Sequence, residues 1–551
     1  MRKKSPDDVV DGARMMAVLA EMAPFHKIAA SPGEAASLRI LQREFEAYGF
    51  ATTLIRHPAH ISIPGRAALA VGDRQFACIT HAHALPAPDG VSGAVIDLGW
   101  GGEADFDRLD LAGRILLITG LATPGVTRRA SRSGAAGVIF VSPDEHRHEM
   151  DVSPIWGSPS VETAAELPSV VVVSVNDADG AAIRAMLSRR SDLSATLVAE
   201  VDTRWREIPL LEANLVPTQA ADAPFVLLSC HHDTWYEGVM DNGAANVAAL
   251  EAARLCALDV DAMKRGLRVC IWSGHSQGRY AGSAWYVDMH WDELEAKCLA
   301  HVNVDSLGGR NATRLEGVGA DLELRDLAAE AVRAVTGQVT RGTRLKRYAD
   351  MSFWGVGIPS MFGLLSEQES GPPGMPNPVG WWWHTAGDTL ENIDEANLVR
   401  DAQVVLHAVY RLVTEAAVAV DVRPSLDDLV AQLADCAERL PPEIALAEVE
   451  ASLAALRARL DEMLGRDELS AEAKTALNMR LCRILVPLRN TAGDRFRQDP
   501  ALPLNQWPVL DALRRFGREG DVSGEHAVSA RRSIATLKSA ARTMVQEIAR
   551  A

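Results

Sequence analysis

The chain has 551 residues, of which 48% are hydrophobic and 23% charged, with a formal net charge of −17 at pH 7. This is too long for a single core and ordinary in composition, so a soluble globular protein of two to four domains is expected. The negative balance argues against nucleic acid, whose phosphates demand a basic face, and no stretch approaches the ~20 apolar residues of a membrane helix.

The N-terminal MRKKSPDDVVDGARMM has no apolar segment after its charges, so no secretory signal is expected. The seven cysteines (78, 230, 256, 270, 298, 436, 482) are scattered and form no C-x-x-C pair. That suits reduced thiols in a cytoplasmic protein rather than a disulfide frame or a cysteine zinc site. Residues 34–48 carry helical periodicity, Gly49 supplies a stop, and a strand-like run follows. Between about 75 and 204 short β-rich runs dominate: 93–99, 113–120, 135–141 and 167–175. This reads as a small β-rich insert.

Beyond it, apolar runs alternate with helical patterns. FVLLSCHH (225–232) precedes 242–258, LRVCIWSG (267–274) precedes 278–290, CLAHVNVD (298–305) precedes 323–336, and IPSMFGLL (358–365) precedes 394–418. Such alternation predicts an α/β fold, a mostly parallel sheet covered by helices on both faces. Sites in such sheets form at the carboxyl ends of the strands, where His231, Gly274 and Asp305 fall. The stretch GPPGMPNPVG (371–380) excludes regular structure, and from 424 to 551 the chain reads as a separate helical domain.

Two patterns compete for the chemistry. GHSQG (274–278) matches the G-x-S-x-G elbow of serine hydrolases, with Asp305 and His384 following in the right order for a triad with Ser276. HHDTWYEGVMDN (231–242), NVD (303–305) and WWWHTAGD (381–388) instead offer His231, Asp241, Asp305 and His384, a set suited to a divalent ion such as zinc. Asp233 is placed to hold the second ring nitrogen of His231. The aromatics Trp235, Tyr236, Trp354 and Trp381 to Trp383 cluster around these motifs, and Trp235, Tyr236 and Trp383 are candidates for the substrate wall. Arg344, Lys346 and Arg347 read as solvated surface, with a grip on a substrate carboxylate as the alternative, and Glu237, Glu367 and Glu369 are further candidates for a catalytic base.

The joint order H-x-D, D-N, N-x-D and W-H-T-x-x-D resembles the zinc aminopeptidase and glutamate carboxypeptidase family, to which the transferrin receptor is also similar. The resemblance implies a zinc-exopeptidase-type domain (1–74 and 205–423), a protease-associated insert (75–204) and a helical domain (424–551) that forms a homodimer. It assigns His231, Asp241 and Asp305 to one metal, and Asp241 and His384 to a second. Where that family has Glu-Glu, a general base followed by a metal ligand, this chain has His275-Ser276. GHSQG is then a rewritten Glu-Glu turn. Loss of the ligand carboxylate weakens the second metal, leaving one tightly held ion, and His275 becomes the candidate base. The implied activity is hydrolysis of an amide-like bond in a small peptide or small amidated molecule. A non-catalytic binding or scaffold protein is the alternative, and a serine hydrolase using Ser276 comes third.

Overall fold

The computed structural model describes residues 10–550 except 191, 219, 221, 372, 373, 376, 377, 442, 443, 445, 466–468 and 520–523. Its strands are β1 (Ala51–Val71), β2 (Arg74–Phe76), β3 (Ile79–Thr80), β4 (Ala87–Asp97), β5 (Ile115–Thr119), β6 (Gly137–Val141), β7 (Val171–Val175), β8 (Ser194–Leu215), β9 (Phe225–His231), β10 (Gly266–Trp272), β11 (Cys298–Asp305) and β12 (Ser360–Leu364). The long strands β1 and β8 pair antiparallel from Ala51 opposite Asn214 to Val71 opposite Ala195, with one irregularity between Pro64 and Ala67. This ribbon carries two half-sheets. At one end β8 pairs with β10, beyond which β10, β9, β11 and β12 lie parallel. At the other end β8 pairs with β4, beyond which β4, β5, β6 and β7 lie parallel and β3 closes the edge. β8 therefore runs unbroken through position 204.

The fold is α/β with a mostly parallel sheet, as the alternation of apolar runs and helices implies. The pleat explains why both faces are covered. In β9, Val226, Leu228 and Cys230 pack into the core shared with the helices Ala245–Leu258 and Glu395–Thr414. Phe225 and Leu227 face the other way, against Trp272, Tyr286 and Leu294. In the second half-sheet Leu117, Ile139 and Val173 fill one core, and Leu116, Val138 and Val172 another. Successive strand side chains point to opposite faces, so runs buried on both sides are continuously apolar.

Helices Arg423–Ala437, Ala447–Leu464, Ala471–Asn490, Asp511–Glu519 and Glu525–Arg550 follow the sheet and share its main core. Arg489, only 2% exposed, joins them to the sheet domain through ion pairs with Asp321 and Glu323, both at 2.8 Å. Of the segment 371–380, positions 372, 373, 376 and 377 lie outside the described residues, and the rest are in neither helix nor strand. Among the described residues no helix is long and apolar enough to cross a membrane.

Candidate metal centre

The first half-sheet delivers its polar residues at strand carboxyl ends. His231 ends β9, Asp305 ends β11, and the turn after β10 holds His275 and Ser276. That turn starts at Gly274, whose φ of 74° suits glycine; a Cβ there would lie 2.9 Å from Ile208 Cδ1. Asp241 precedes the helix Ala245–Leu258. His231 Nε2 lies 3.1 Å from Asp241 Oδ1 and 3.5 Å from Asp305 Oδ1, and His384 Nε2 lies 3.0 Å from Asp241 Oδ2. The His275 ring stacks on the His231 ring, with centroids 3.7 Å apart and planes 9° apart. Donor atoms of His231, His275 and Asp305 all fall within 4.8 Å of one another.

Each imidazole is held by Nδ1. His231 donates to the Asp233 carbonyl at 2.9 Å, His275 to Asp350 Oδ2 at 2.9 Å, and His384 to the Glu149 carbonyl at 2.6 Å. Fixing Nδ1–H leaves the Nε2 lone pair for a ligand, the usual outer arrangement around a metal-bound histidine. His231 Nε2 and Asp241 Oδ1 are close, yet neither has an aligned hydrogen-bond partner, and both are buried. Donors that converge without bonding one another fit a divalent cation, and their nitrogen and carboxylate chemistry suits zinc.

The comparisons with known proteins agree with this geometry. Residues 213–409 match the family model described as Peptidase family M28. This segment is similar to the M28 peptidases. The fold is similar to an aminopeptidase from Aneurinibacillus sp. (TM-score 0.57, 21% identity, covering 74% of this chain and 95% of that one). It is also similar to a zinc aminopeptidase from Bacillus subtilis (TM-score 0.56, 19% identity, 75% and 98%). A "probable glutamate carboxypeptidase" of Zea mays is 24% identical over 184 residues, 30% of this chain and 24% of that protein's own length. The chain thus spans about a quarter of that relative.

Buried hydrogen bonds fix the acidic residues of this segment. Asp388 accepts the backbone N–H groups of Met240 (2.7 Å) and Asp241 (3.0 Å), and burial pushes its carboxyl up to about 7. Asn242 donates to the Val304 carbonyl and accepts from the Ser306 N–H, tying the Asp241 loop to the end of β11. Burial opposes a charge on His231, but the Asp305 and Asp241 carboxylates raise it well above the ordinary imidazole value. Burial likewise opposes the charge of Asp241, and the adjacent His231 and His384 rings hold it well below the carboxylate range. A metal ion and a proton compete for the same nitrogen and carboxylate donors in such a cluster.

Several residues do other work than their positions in the sequence imply. Asp233 does not hold the His231 ring with its carboxylate. That contact comes from its carbonyl, while its carboxylate accepts the N–H groups of His275 (3.0 Å) and Ser276 (2.8 Å) and so anchors the turn after β10. The Ser276 hydroxyl donates to the same carbonyl at 3.1 Å, and no hydrogen bond links it to His384 among the described residues. Trp235 and Trp383 line the cavity over the site; Tyr236 does not, because its hydroxyl donates to Glu149 Oε1. Trp354 is buried away from the cavity, bonded to Asp321, and Trp382 is buried against Met240. Arg344 and Arg347 are not solvated surface: they donate to the carbonyls of Leu504, Asn505 and Asp499. Glu237, Glu367 and Glu369 do not line the cavity.

The second half-sheet completes the site. His384 has a φ of 58°, unfavourable for a residue with a Cβ and costing of order 1–3 kcal/mol. The loop after β6 holds it there. Glu149 N–H donates to the His384 carbonyl (3.0 Å), His148 Nδ1 donates to the Trp383 carbonyl (2.6 Å), and His146 stacks on Trp381 with centroids 4.4 Å apart. Asp350, Asp388 and Glu149 carry no signal of these roles in the sequence, apart from Asp388 closing the W-H-T-x-x-D motif. A cavity of about 410 Å³ lies between the half-sheets, with Asp241, His275, Asp305 and His384 on one side and Trp100, Leu121, Val126, Phe140 and Met150 of the insert on the other.

Proposed function

We propose that the protein is a metal-dependent hydrolase that cleaves an amide-like bond in a small peptide or small amidated molecule. The observation that carries this reading is the convergence of three Nδ1-anchored imidazoles and two carboxylates on one end of the sheet, inside a cavity. The zinc aminopeptidases of similar fold support it. His231, His275, Asp305 and Asp241 would hold one divalent ion, most naturally zinc. A bound dication polarises an amide carbonyl and makes water acidic enough to attack near neutral pH. Hydrolysis adds hydroxyl to the acyl carbon and the proton to the departing nitrogen. His384, whose Nε2 lies 3.0 Å from Asp241 Oδ2 and which opens to the cavity, is suited to carry that proton, while Asp233 and Ser276 keep the His275 turn in place. Trp235 and Trp383 flank the substrate.

This reading gives His275 a ligand's role rather than the base's role. The Asp350 contact would equally orient a base, so zinc titration of His275→Ala decides: loss of tight binding supports ligation, and retained binding with a kcat lower by about 10²–10⁴ supports a base. Ser276 stands where related chains have a ligand carboxylate, so Ser276→Glu should raise zinc stoichiometry from one towards two. Zinc-free wild-type protein that keeps full hydrolytic activity would overturn the metallohydrolase reading. The C-terminal helices are proposed to form a homodimer, against which a clean 59.4 kDa species in sedimentation would count. The seven cysteines, all free in the structure, support a reducing, cytoplasmic location.

A further inference from the structure

A second cavity lies outside the metal centre. It measures about 460 Å³ and shares no lining residue with the first. Trp156 on its wall packs against Tyr280 of the metal cavity with ring centroids 4.3 Å apart, so an aromatic pair separates the two spaces. One wall is a single helical face: Ala281, Ala284, Trp285 and Asp288 of the helix Ala281–Lys297 recur at the three- and four-residue spacing that lines one side of a helix. Trp205 of β8 and Phe496, beyond the helix Ala471–Asn490, add large aromatic surface, and they are 56% and 62% exposed.

The charges of this groove answer one another with one exception. Arg128 pairs with Glu166 at 2.6 Å, and Arg497 lies within electrostatic reach of Glu162. Asp288 makes no ion pair or hydrogen bond among the described residues, and the protein packed around it pushes its carboxyl above the usual value. The histidines beside the aromatics bring no counter-charge. His57 stacks on Trp285 with centroids 4.3 Å apart, His60 stands edge-on to Trp205 at 5.7 Å, and burial pushes both rings down to about 4, so both are neutral near pH 7. An unanswered carboxylate in an indole-walled groove has the two features that hold an organic cation: a negative charge, and ring faces whose quadrupole attracts a positive one. The chain, at −17, adds long-range attraction for the same ligand. A bare metal ion would lose its water against these walls, whereas an ammonium clothed in methyl or alkyl groups has little hydration to give up. We propose that the groove is a second binding site, for a small organic ammonium, with Asp288 as its counter-ion and Trp205 and Trp285 as its cation–π platforms.

The test compares choline with its neutral carbon isostere 3,3-dimethylbutanol, by ligand-observed NMR titration of the full-length protein with and without added zinc. Choline should bind at least about tenfold more tightly than the alcohol, and equally in both conditions. Asp288→Asn and Trp205→Ala should each remove several-fold of the choline affinity, whereas Asp288→Glu should retain it. Both positions are exposed, and thermal melts matching the parent's confirm that the variants fold. Equal affinities for the two probes, no measurable binding of either, or a choline preference that survives in the Asp288→Asn, Trp205→Ala double variant would overturn the site. Displacement of choline by zinc would overturn it too, because the cation would then lie among the carboxylates of the metal cavity.

Discussion

The two half-sheets have the same local construction and present their carboxyl ends to the same cavity, yet they contribute opposite things. β9, β10 and β11 end in His231, the His275 turn and Asp305, whereas β4, β5 and β6 lead to Trp100, Leu121 and the loop carrying Met150. One end supplies lone pairs and charge, and the other supplies shape. Parallel strands place a site at their ends, but the residues there decide whether it does chemistry. The division is incomplete at His384, which lies in the segment similar to M28 peptidases and is held in its left-handed conformation by the loop after β6.

The sharpest way to break this comparison is to remove a donor. His231→Ala or Asp241→Ala should abolish tight zinc binding and lower kcat/KM by roughly 10³ or more, measured by metal analysis beside kinetics. Next is the support behind the first half-sheet. Arg489→Ala leaves Asp321 and Glu323 buried without their cation and should cost about 3–5 kcal/mol in denaturant unfolding, because the charges were desolvated as a group. Asp350→Asn should weaken zinc by about 10–100-fold with little change in stability, since only the orientation of His275 is lost.

Changes in the insert should be milder. Trp100→Ala should raise KM several-fold for substrates with an apolar acyl group and leave kcat nearly unchanged, because it removes contact shared by ground and transition states. A fall in kcat with zinc retained would show that the second half-sheet does more than shape the cavity. The smallest effect concerns Glu149, whose carboxyl burial pushes up to about 7 from a usual 4.5. A raised folded-state value means that the folded protein binds the proton more tightly, so this group's contribution to stability declines as pH rises from about 4.5 to about 7. Glu149→Gln should flatten that decline, leaving the variant relatively more stable at pH 8 than at pH 5 in thermal melts.

Much of this was legible in the sequence because burial on both faces leaves continuous apolar runs. FVLLSCHH became β9, LRVCIWSG β10 and CLAHVNVD β11, each with its polar residue at the end. The donors His231, Asp241, Asp305 and His384 could be grouped because each directly follows such a run or closes a short motif. The reach of β1 could not be read: HPAHISIPGR contains two prolines and a glycine, which locally signal turns, while pairing with β8 holds it extended. Asp233 was misread because spacing brings it near His231 but cannot distinguish its carbonyl from its carboxylate. Asp350 and Glu149 lie in segments far along the chain from the groups they hold, and only folding brings them there.

The β1–β8 ribbon has a mechanical consequence. It passes behind both jaws of the cavity as one hydrogen-bonded beam, relieved only by the irregularity between Pro64 and Ala67. Swinging the jaws apart would shear a ladder of cross-strand bonds rather than bend a linker, so the gap between zinc donors and apolar wall is set by the backbone. The span of the cavity is therefore fixed by backbone pairing, and the adjustable parts are the loops at the rim, those bearing Trp100, Lys346 and Trp383.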